Sequence, residues 1–214
     1  MSGTSPPSPA AVRAIWGGMI AVMVLVGAVA YLSAGRQALT LPALGEVPAF
    51  SLTERSGRVV TRADLDGAPW VADFVFTRCT GMCPALSTRM AEIRRRAREA
   101  GIAVRFVSFS VDPVHDTPAV LQEYARRFGA DGDDWVFLTG ERDALHALIG
   151  GGFRLSVAER SPEAAAADGG ELIAHSDRFV LVDGAGKIRG YYHGTDPATA
   201  DTVLRDLAAV AAAG

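Results

Sequence analysis

The two cysteines of this 214-residue chain, Cys79 and Cys83, lie within one five-residue window. A disulfide between them would close a very short loop and remove little entropy from the unfolded chain, so a structural role explains them poorly. They follow an apolar run and precede a helical pattern in Cys79-Thr80-Gly81-Met82-Cys83-Pro84. Because proline suits the first helical position, we expect Pro84 to begin the helix and Cys83 to lie at or near its N-cap.

The chemistry expected of this pair is that of thiolates. At a helix N-terminus, unpaired backbone N–H groups and the positive end of the helix dipole stabilise a thiolate over a thiol. A thiolate is both the nucleophile of disulfide exchange and a soft metal ligand that favours Cu(I), and an added imidazole also suits Cu(II) or Zn(II). Two cysteines alone do not complete a tetrahedral zinc site, so a third ligand must come from elsewhere.

Four histidines are candidates for that third ligand: His115, His146, His175 and His193. His146 falls in a predicted helix and His193 follows the last predicted strand, so both are expected at the surface. His115 lies in a loop after a strand, and His175 precedes the strand predicted at 179–182. Any single histidine is more often an ordinary polar residue than a ligand, so the residues alone do not choose among them.

Strand and helix patterns alternate through the rest of the chain, and they place the cysteines between a buried strand and a helix. The predicted strands cover residues 50–53, 59–60, 70–76, 102–111, 135–138, 153–157, 179–182 and 188–192. Helices are predicted after Pro84, Pro118 and Pro197, with a shorter one at 141–149 and a loop or insertion at 158–170. This element order predicts a thioredoxin-like α/β domain.

An apolar run without charged side chains extends from residue 14 to residue 35. At ~1.5 Å per residue it is long enough to span the ~30 Å hydrocarbon layer of a bilayer. We therefore expect a short tail (1–13), a transmembrane anchor (14–35), a linker (36–45) and a thioredoxin-like domain (46–214). The alternative is a cleaved signal peptide with small residues at its cleavage site; both interpretations export the domain.

The charge balance argues against a nucleic-acid partner. The chain carries a net charge of −3, with ordinary fractions of apolar (49%) and charged (21%) residues. A nucleic-acid binder needs a concentrated basic surface for its phosphate contacts. The dense basic run at 94–98 is interpreted instead as the solvated face of a helix.

Three motifs, taken together and in this order, resemble the Sco/SenC family. They are Phe76-Thr77-Arg78-Cys79-x-x-x-Cys83-Pro84, then Ser110-Val111-Asp112-Pro113-x-x-Asp116-Thr117-Pro118, then His175-Ser176 followed by Phe179-Val180-Leu181-Val182-Asp183. The similarity covers residues 46–212 and the N-terminal anchor. It implies a membrane-anchored thioredoxin-like domain that binds copper through Cys79, Cys83 and His175. The chain departs from many members at 80–82, where they have an acidic residue between the cysteines.

The resemblance also implies a function: a copper metallochaperone for the dinuclear copper centre of cytochrome c oxidase. Its partners would be the copper-receiving oxidase subunit and other copper carriers or thiol reductants. The protein would be a single-pass protein of the inner (cytoplasmic) membrane, with its domain in the periplasm or an equivalent oxidising space. The main alternative is a thiol–disulfide oxidoreductase that keeps the client's copper-ligand cysteines reduced. A peroxiredoxin-like peroxidase and a non-catalytic sensing module are further alternatives.

A second resemblance, to thioredoxin, concerns Asp73. It lies six residues before Cys79, as the buried aspartate of thioredoxin lies before its first catalytic cysteine. If Asp73 is buried, its protonated form is favoured and it can exchange a proton during disulfide chemistry. The other interpretation places Asp73 at a strand edge, in contact with solvent.

Overall fold

The computed structural model describes residues 16–26, 41–155, 157–159 and 173–213, with the backbone alone for 157–159 and 173–175. The chain divides into two units, Met1–Ala38 and Leu39–Gly214. In the first unit, residues 16–26 form a helix, α1, with exposed apolar side chains. No helix among the described residues has the length and hydropathy needed to cross a membrane. The predicted anchor, 14–35, extends beyond the described residues at both ends.

The second unit is built on a mixed β-sheet. Its described strands are β1 Gly45–Glu46, β2 Ser51–Glu54, β3 Val59–Thr61, β4 Trp70–Val75, β5 Arg105–Ser110, β6 Trp135–Thr139, β7 Val157–Glu159, β8 Ile173–His175, β9 Arg178–Val182 and β10 Lys187–His193. Eight of them form one sheet in the order β1-β10-β9-β4-β5-β6-β2-β3, and β7 pairs with β8 separately. Strands β4, β5 and β6 are parallel, whereas β9 lies antiparallel to β4.

Helices connect the parallel strands and close the domain. They are α2 Met82–Glu99, α3 Pro118–Arg127, α4 Arg142–Ala147 and α5 Thr199–Ala213, with a 3-10 turn at Arg62–Leu65 and a π-helical turn at Leu148–Gly152. The order β4-α2-β5-α3-β6 is followed by the β9–β10 hairpin and α5. This agrees with the thioredoxin-like α/β order that the sequence predicts.

The core is organised around β4, which is buried at all six positions because it lies in the middle of the sheet. Aromatic rings pack across this strand and its neighbour β5. Phe74 stacks on Phe109 with ring centroids 5.7 Å apart, and Phe153 meets Phe74 edge to face at 5.0 Å. Such ring pairs add to the stabilisation from apolar burial. They fix the end of β4 from which the cysteine loop departs.

The start of α2 differs from the prediction. The helix begins at Met82 with Gly81 as its N-cap, so Pro84 is the third helical residue and Cys83 lies inside the first turn. Proline is tolerated there because the N–H groups of the first turn have no partner within the helix. The sequence pattern correctly indicated a proline in the first turn but not its position within it.

The region after α4 also differs from the prediction. Residues 153–155 do not form a strand; they follow the π-helical turn Leu148–Gly152. The strand in this region is β7, which pairs with β8 and includes two residues, Ala158 and Glu159, of the predicted loop. The rest of that loop lies outside the described residues.

Gly194, just after β10, lies where the chain packs closely against α2. An added Cβ would clash with Cδ2 of Leu86 and lie 2.9 Å from the carbonyl oxygen of Asp177. We predict that Gly194→Ala lowers the free energy of unfolding by about 1–3 kcal/mol, because overpacking of a close contact costs that much. Urea denaturation measures the change. Gly151→Ala is the control, since nothing lies within 4 Å of an added Cβ there; an equal loss in both variants would contradict the prediction.

Candidate metal and thiol-redox site

The cysteine pair lies between the end of β4 and the start of α2. Cys79 is 5% exposed and Cys83 is completely buried, and no disulfide joins them. The backbone N–H of Cys83 donates a hydrogen bond to Sγ of Cys79, with 3.1 Å between nitrogen and sulfur. The N-cap residue, Gly81, offers no side chain to the helix. The sulfur of Cys79 therefore takes the role that a capping side-chain oxygen has in other helices.

This position favours a thiolate at Cys79. The sulfur meets a backbone N–H at the positive end of an 18-residue helix, and no acidic side chain lies in the first turn to compete for it. The sequence predicted this environment for Cys83. Because α2 begins two residues before Pro84, the hydrogen bond goes to Sγ of Cys79 instead, and the backbone N–H of Cys83 is its donor.

Three further polar residues are buried near the pair: Asp73 on β4, Ser87 on α2 and Tyr124 on α3. The hydroxyl oxygens of Ser87 and Tyr124 are 2.9 Å apart. Burial raises the pKa of Tyr124, and Cys83, Asp73 and Cys79 raise it further in their ionised forms. All three groups therefore lie within electrostatic range of one hydroxyl. Asp73 is completely buried in the central strand, which rules out the solvated-edge interpretation.

The loop between β5 and α3 holds the residues that precede Cys79. The buried carboxylate of Asp116 accepts hydrogen bonds from Oγ1 of Thr77 at 2.6 Å and from the backbone N–H of Thr77 at 3.3 Å. Asp112 pairs with Arg78, whose Nε lies 3.0 Å from a carboxylate oxygen. Two carboxylates of one loop thus bind the two residues before the first cysteine.

The third predicted ligand, His175, is the last residue of β8. Its side chain lies outside the described part of the structure. The segment that follows it is described: the carbonyl of Asp177 accepts a hydrogen bond from the N–H of Gly194 at 2.8 Å. Gly194 in turn contacts Leu86, which lies one turn after Cys83 on α2.

The other three histidines occupy different positions. His115 and His193 are exposed, and His193 lies 3.1 Å from the carboxylate of Asp177 through its Nδ1. His146 is half-buried, with Nε2 3.3 Å from the carbonyl oxygen of Val111, so its predicted surface position is only partly correct. Among the described side chains, no three His, Cys, Asp or Glu residues form a group that could hold a metal ion.

Sequence reasoning missed several residues of this site. Thr77, Arg78, Asp112 and Asp116 belong to recognised motifs, but nothing in their spacing indicated that they pair across 34 to 39 residues. The hydroxyl contact between Tyr124 and Ser87 also has no signal in the sequence.

These features define a class of protein: a thioredoxin-like α/β domain with a buried dithiol at a strand–helix junction. The SCO1/SenC family model matches residues 41–212. The chain therefore belongs to the SCO1/SenC family, which confirms the family prediction.

Known relatives agree in sequence and in fold. The chain is 31% identical over 174 residues to the SCO1 protein homolog of Bacillus subtilis, covering 81% of this chain and 86% of that protein. It superposes on the structure of BsSco with a TM-score of 0.68 and 28% sequence identity. The superposition covers 78% of this chain and 94% of BsSco. BsSco is described as having a disulfide switch and as a member of the Sco family of cytochrome c oxidase assembly proteins. The copper-bound ScoI of Bradyrhizobium japonicum shares the fold, with a TM-score of 0.64 at 24% identity over 78% and 99% of the chains.

We predict that iodoacetamide alkylates Cys79 at least about tenfold faster than Cys83 in the reduced, folded protein. Cys79 is the less buried sulfur and accepts the helix N–H, and thiolate character and access together set the rate. Timed quenching followed by peptide mass spectrometry measures both rates. In denaturant the two rates should converge. Equal rates in the folded protein would show that the two thiols do not differ as described.

A pH dependence follows from Asp116, because burial raises its pKa more than the hydrogen bonds from Thr77 and Ser110 lower it. As pH rises above the ordinary aspartate value of about 3.9, the unfolded chain loses this proton first, so the folded state loses stability. We predict that the stability of Asp116→Asn relative to wild type increases between pH 4 and pH 7. Urea denaturation across this range measures it, and a difference that is independent of pH would contradict the prediction.

Proposed function

We propose that this domain is a copper metallochaperone that carries copper as its cargo. Cys79, Cys83 and His175 are the proposed ligands. The observation that carries the proposal is the buried dithiol at the start of α2, since two thiolates provide a soft donor pair that favours Cu(I). The copper-bound state of the related Bradyrhizobium ScoI supports the choice of metal.

The third donor is proposed to be the imidazole of His175. The described side chains add no third His, Cys, Asp or Glu to the pair. The segment after His175 runs past Gly194, which packs against α2 close to Cys83. A neutral imidazole added to two thiolates completes a three-donor set that suits copper in either oxidation state.

The proposed client is the copper-receiving subunit of cytochrome c oxidase, because the related BsSco belongs to a family of oxidase assembly proteins. Other copper carriers or thiol reductants would load or reduce the pair. The proposed anchor, 14–35, follows a short tail and joins through a linker, 36–45, to the domain, 46–214. Its uncharged apolar sequence supports a single-pass protein of the inner membrane whose domain faces the periplasm or an equivalent oxidising space.

Thiol–disulfide exchange is the second candidate function, and the complete burial of Asp73 beside the thiol site favours it. In this reaction the thiolate of Cys79 attacks a client disulfide, forms a mixed disulfide and releases one client thiolate. Cys83 then attacks Sγ of Cys79 and releases the second client thiolate, which leaves the Cys79–Cys83 disulfide. Two electrons pass to the client, and a thiol reductant must restore the pair. The disulfide switch described for BsSco supports this chemistry.

We predict that the reduced full-length chain in detergent binds one copper ion. Replacement of either cysteine by serine should abolish binding, because a hydroxyl is a hard ligand that Cu(I) disfavours. His175→Ala should weaken binding by more than the 10–100-fold typical of losing an outer-shell partner. Competition with a Cu(I)-specific chelator measures the affinity. His115→Ala is the matched control, since His115 is exposed on a neighbouring loop, and its affinity should equal that of wild type.

The same variants separate the two functions. Reduction of a client disulfide in a single turnover should require both cysteines and should be indifferent to His175. If His175→Ala keeps the wild-type copper affinity, the three-ligand proposal is wrong. If it also keeps full disulfide exchange, thiol redox chemistry becomes the better description of the domain.

A further inference from the structure

Cys79 is the last residue of a tight turn that follows β4. Its backbone N–H donates a hydrogen bond to the carbonyl of Phe76 at 3.2 Å, so Thr77 and Arg78 are the two central residues of this turn. The conformation of the turn sets where the Cα of Cys79 lies. It therefore sets whether Sγ of Cys79 reaches the N–H of Cys83 at the start of α2.

Both central residues of the turn bind carboxylates of the loop between β5 and α3, but the two interactions differ in strength. The pair Arg78–Asp112 includes a side chain that is 50% exposed, and solvent screens such a pair. The link between Thr77 and Asp116 is different, because Asp116 is completely buried. A charge-assisted hydrogen bond in such surroundings is stronger than one at the surface.

Asp116 is itself fixed on its far side. Ser110 Oγ donates to its carboxylate at 2.7 Å, and the backbone N–H of Asp116 donates to the carbonyl of Asp112 at 2.9 Å. The backbone N–H of Asp112 also donates to Ser110 Oγ at 3.0 Å. The carboxylate of Asp116 is therefore a rigid acceptor for the turn, because Ser110 at the end of β5 holds it in place.

We propose that Asp116 is a positioning residue for the thiol site: by binding both donors of Thr77 it holds the turn that places Sγ of Cys79 on the N-terminus of α2. The hydrogen bonds between Thr77 and Asp116 stabilise the reduced form, in which Sγ of Cys79 accepts a hydrogen bond from the backbone N–H of Cys83. Disulfide formation takes two electrons and two protons from the pair and moves Sγ of Cys79 into a bond with Sγ of Cys83. Loss of the link should therefore destabilise the reduced form more than the disulfide. The inference rests on the proposed function only in assuming that Sγ of Cys79 takes part in the chemistry of the site.

The test is the redox equilibrium of the full-length chain in detergent against a glutathione buffer, quantified by trapping thiols and mass spectrometry. Thr77→Val removes the hydroxyl donor at nearly constant volume. We expect it to shift the equilibrium toward the disulfide by about fivefold, which is what one hydrogen bond of ordinary net strength produces. Thr77→Ser keeps the hydroxyl and should restore the wild-type constant.

Asp116→Asn is the partner variant, and it retains an acceptor oxygen and the side-chain volume. It should shift the constant in the same direction, and Thr77→Val combined with Asp116→Asn should shift it by less than the sum of the single effects, because the two residues share one link. A residue with a purely structural role would lower the stability of both redox forms alike and leave the constant unchanged. Should Thr77→Val fail to fold, Asp116→Asn tests the effect of weakening the Thr77–Asp116 hydrogen bonds, and Thr77→Ser is its control.

The chain offers a matched control at the other end of β5. Thr61 donates through its backbone N–H at 2.8 Å and its Oγ1 at 2.6 Å to the carboxylate of Asp64, which repeats the Thr77–Asp116 arrangement. Asp64 lies beside Arg105, the first residue of β5, away from the cysteines. Thr61→Val should leave the redox constant unchanged.

Unchanged constants in both Thr77→Val and Asp116→Asn would overturn the proposal, as would an equal shift in Thr61→Val. The measurement needs no metal. A chain that binds no copper but shows the expected shifts would therefore refute the metallochaperone function and support the positioning role.

Discussion

The parallel pairing of β4 with β5 is the constraint on which the site depends. Val75 lies opposite Ser110 at the ends of the two strands, so the loops that follow them leave from the same edge of the sheet. The chain after β4 leads through Cys79 to Cys83 in the first turn of α2, and the loop after β5 carries Asp112 and Asp116. Antiparallel strands would send these loops to opposite edges. The hydrogen bonds that hold the turn before Cys79 exist because both strands end together.

A second constraint is the early start of α2. The helix reaches back to Met82, so its first turn contains Cys83 and presents a backbone N–H to the sulfur of Cys79. The result is an asymmetric pair, in which Cys79 is 5% exposed and accepts the hydrogen bond, whereas Cys83 is completely buried and donates it. Copper binding and disulfide exchange both need this pair in its reduced form.

Most of the elements could be predicted from local patterns, because each carries its own physical signal. The buried run before Cys79 formed β4, and Thr117 with Pro118 marked the start of α3, where Oγ1 of Thr117 accepts the N–H of Val120. Gly101, beyond the end of α2, has a φ of +69°, as a residue that ends a helix often does. The strand prediction failed at 153–155, which follow a π-helical turn that no simple period indicates.

The sequence by itself determined the chemistry and its approximate position: two cysteines at a strand–helix junction, a thioredoxin-like order of elements, and motifs that identified the family. These follow from residue type and short-range spacing. Only the tertiary structure decided that Asp73 is buried, that Asp116 binds Thr77, and which sulfur accepts the helix N–H. Each of these depends on which strands pair and where a helix begins. Thr77 and Asp116 are 39 positions apart, so no local sequence pattern indicates their hydrogen bond. The sequence therefore identified the two cysteines, and the tertiary structure decided which hydrogen bonds position them.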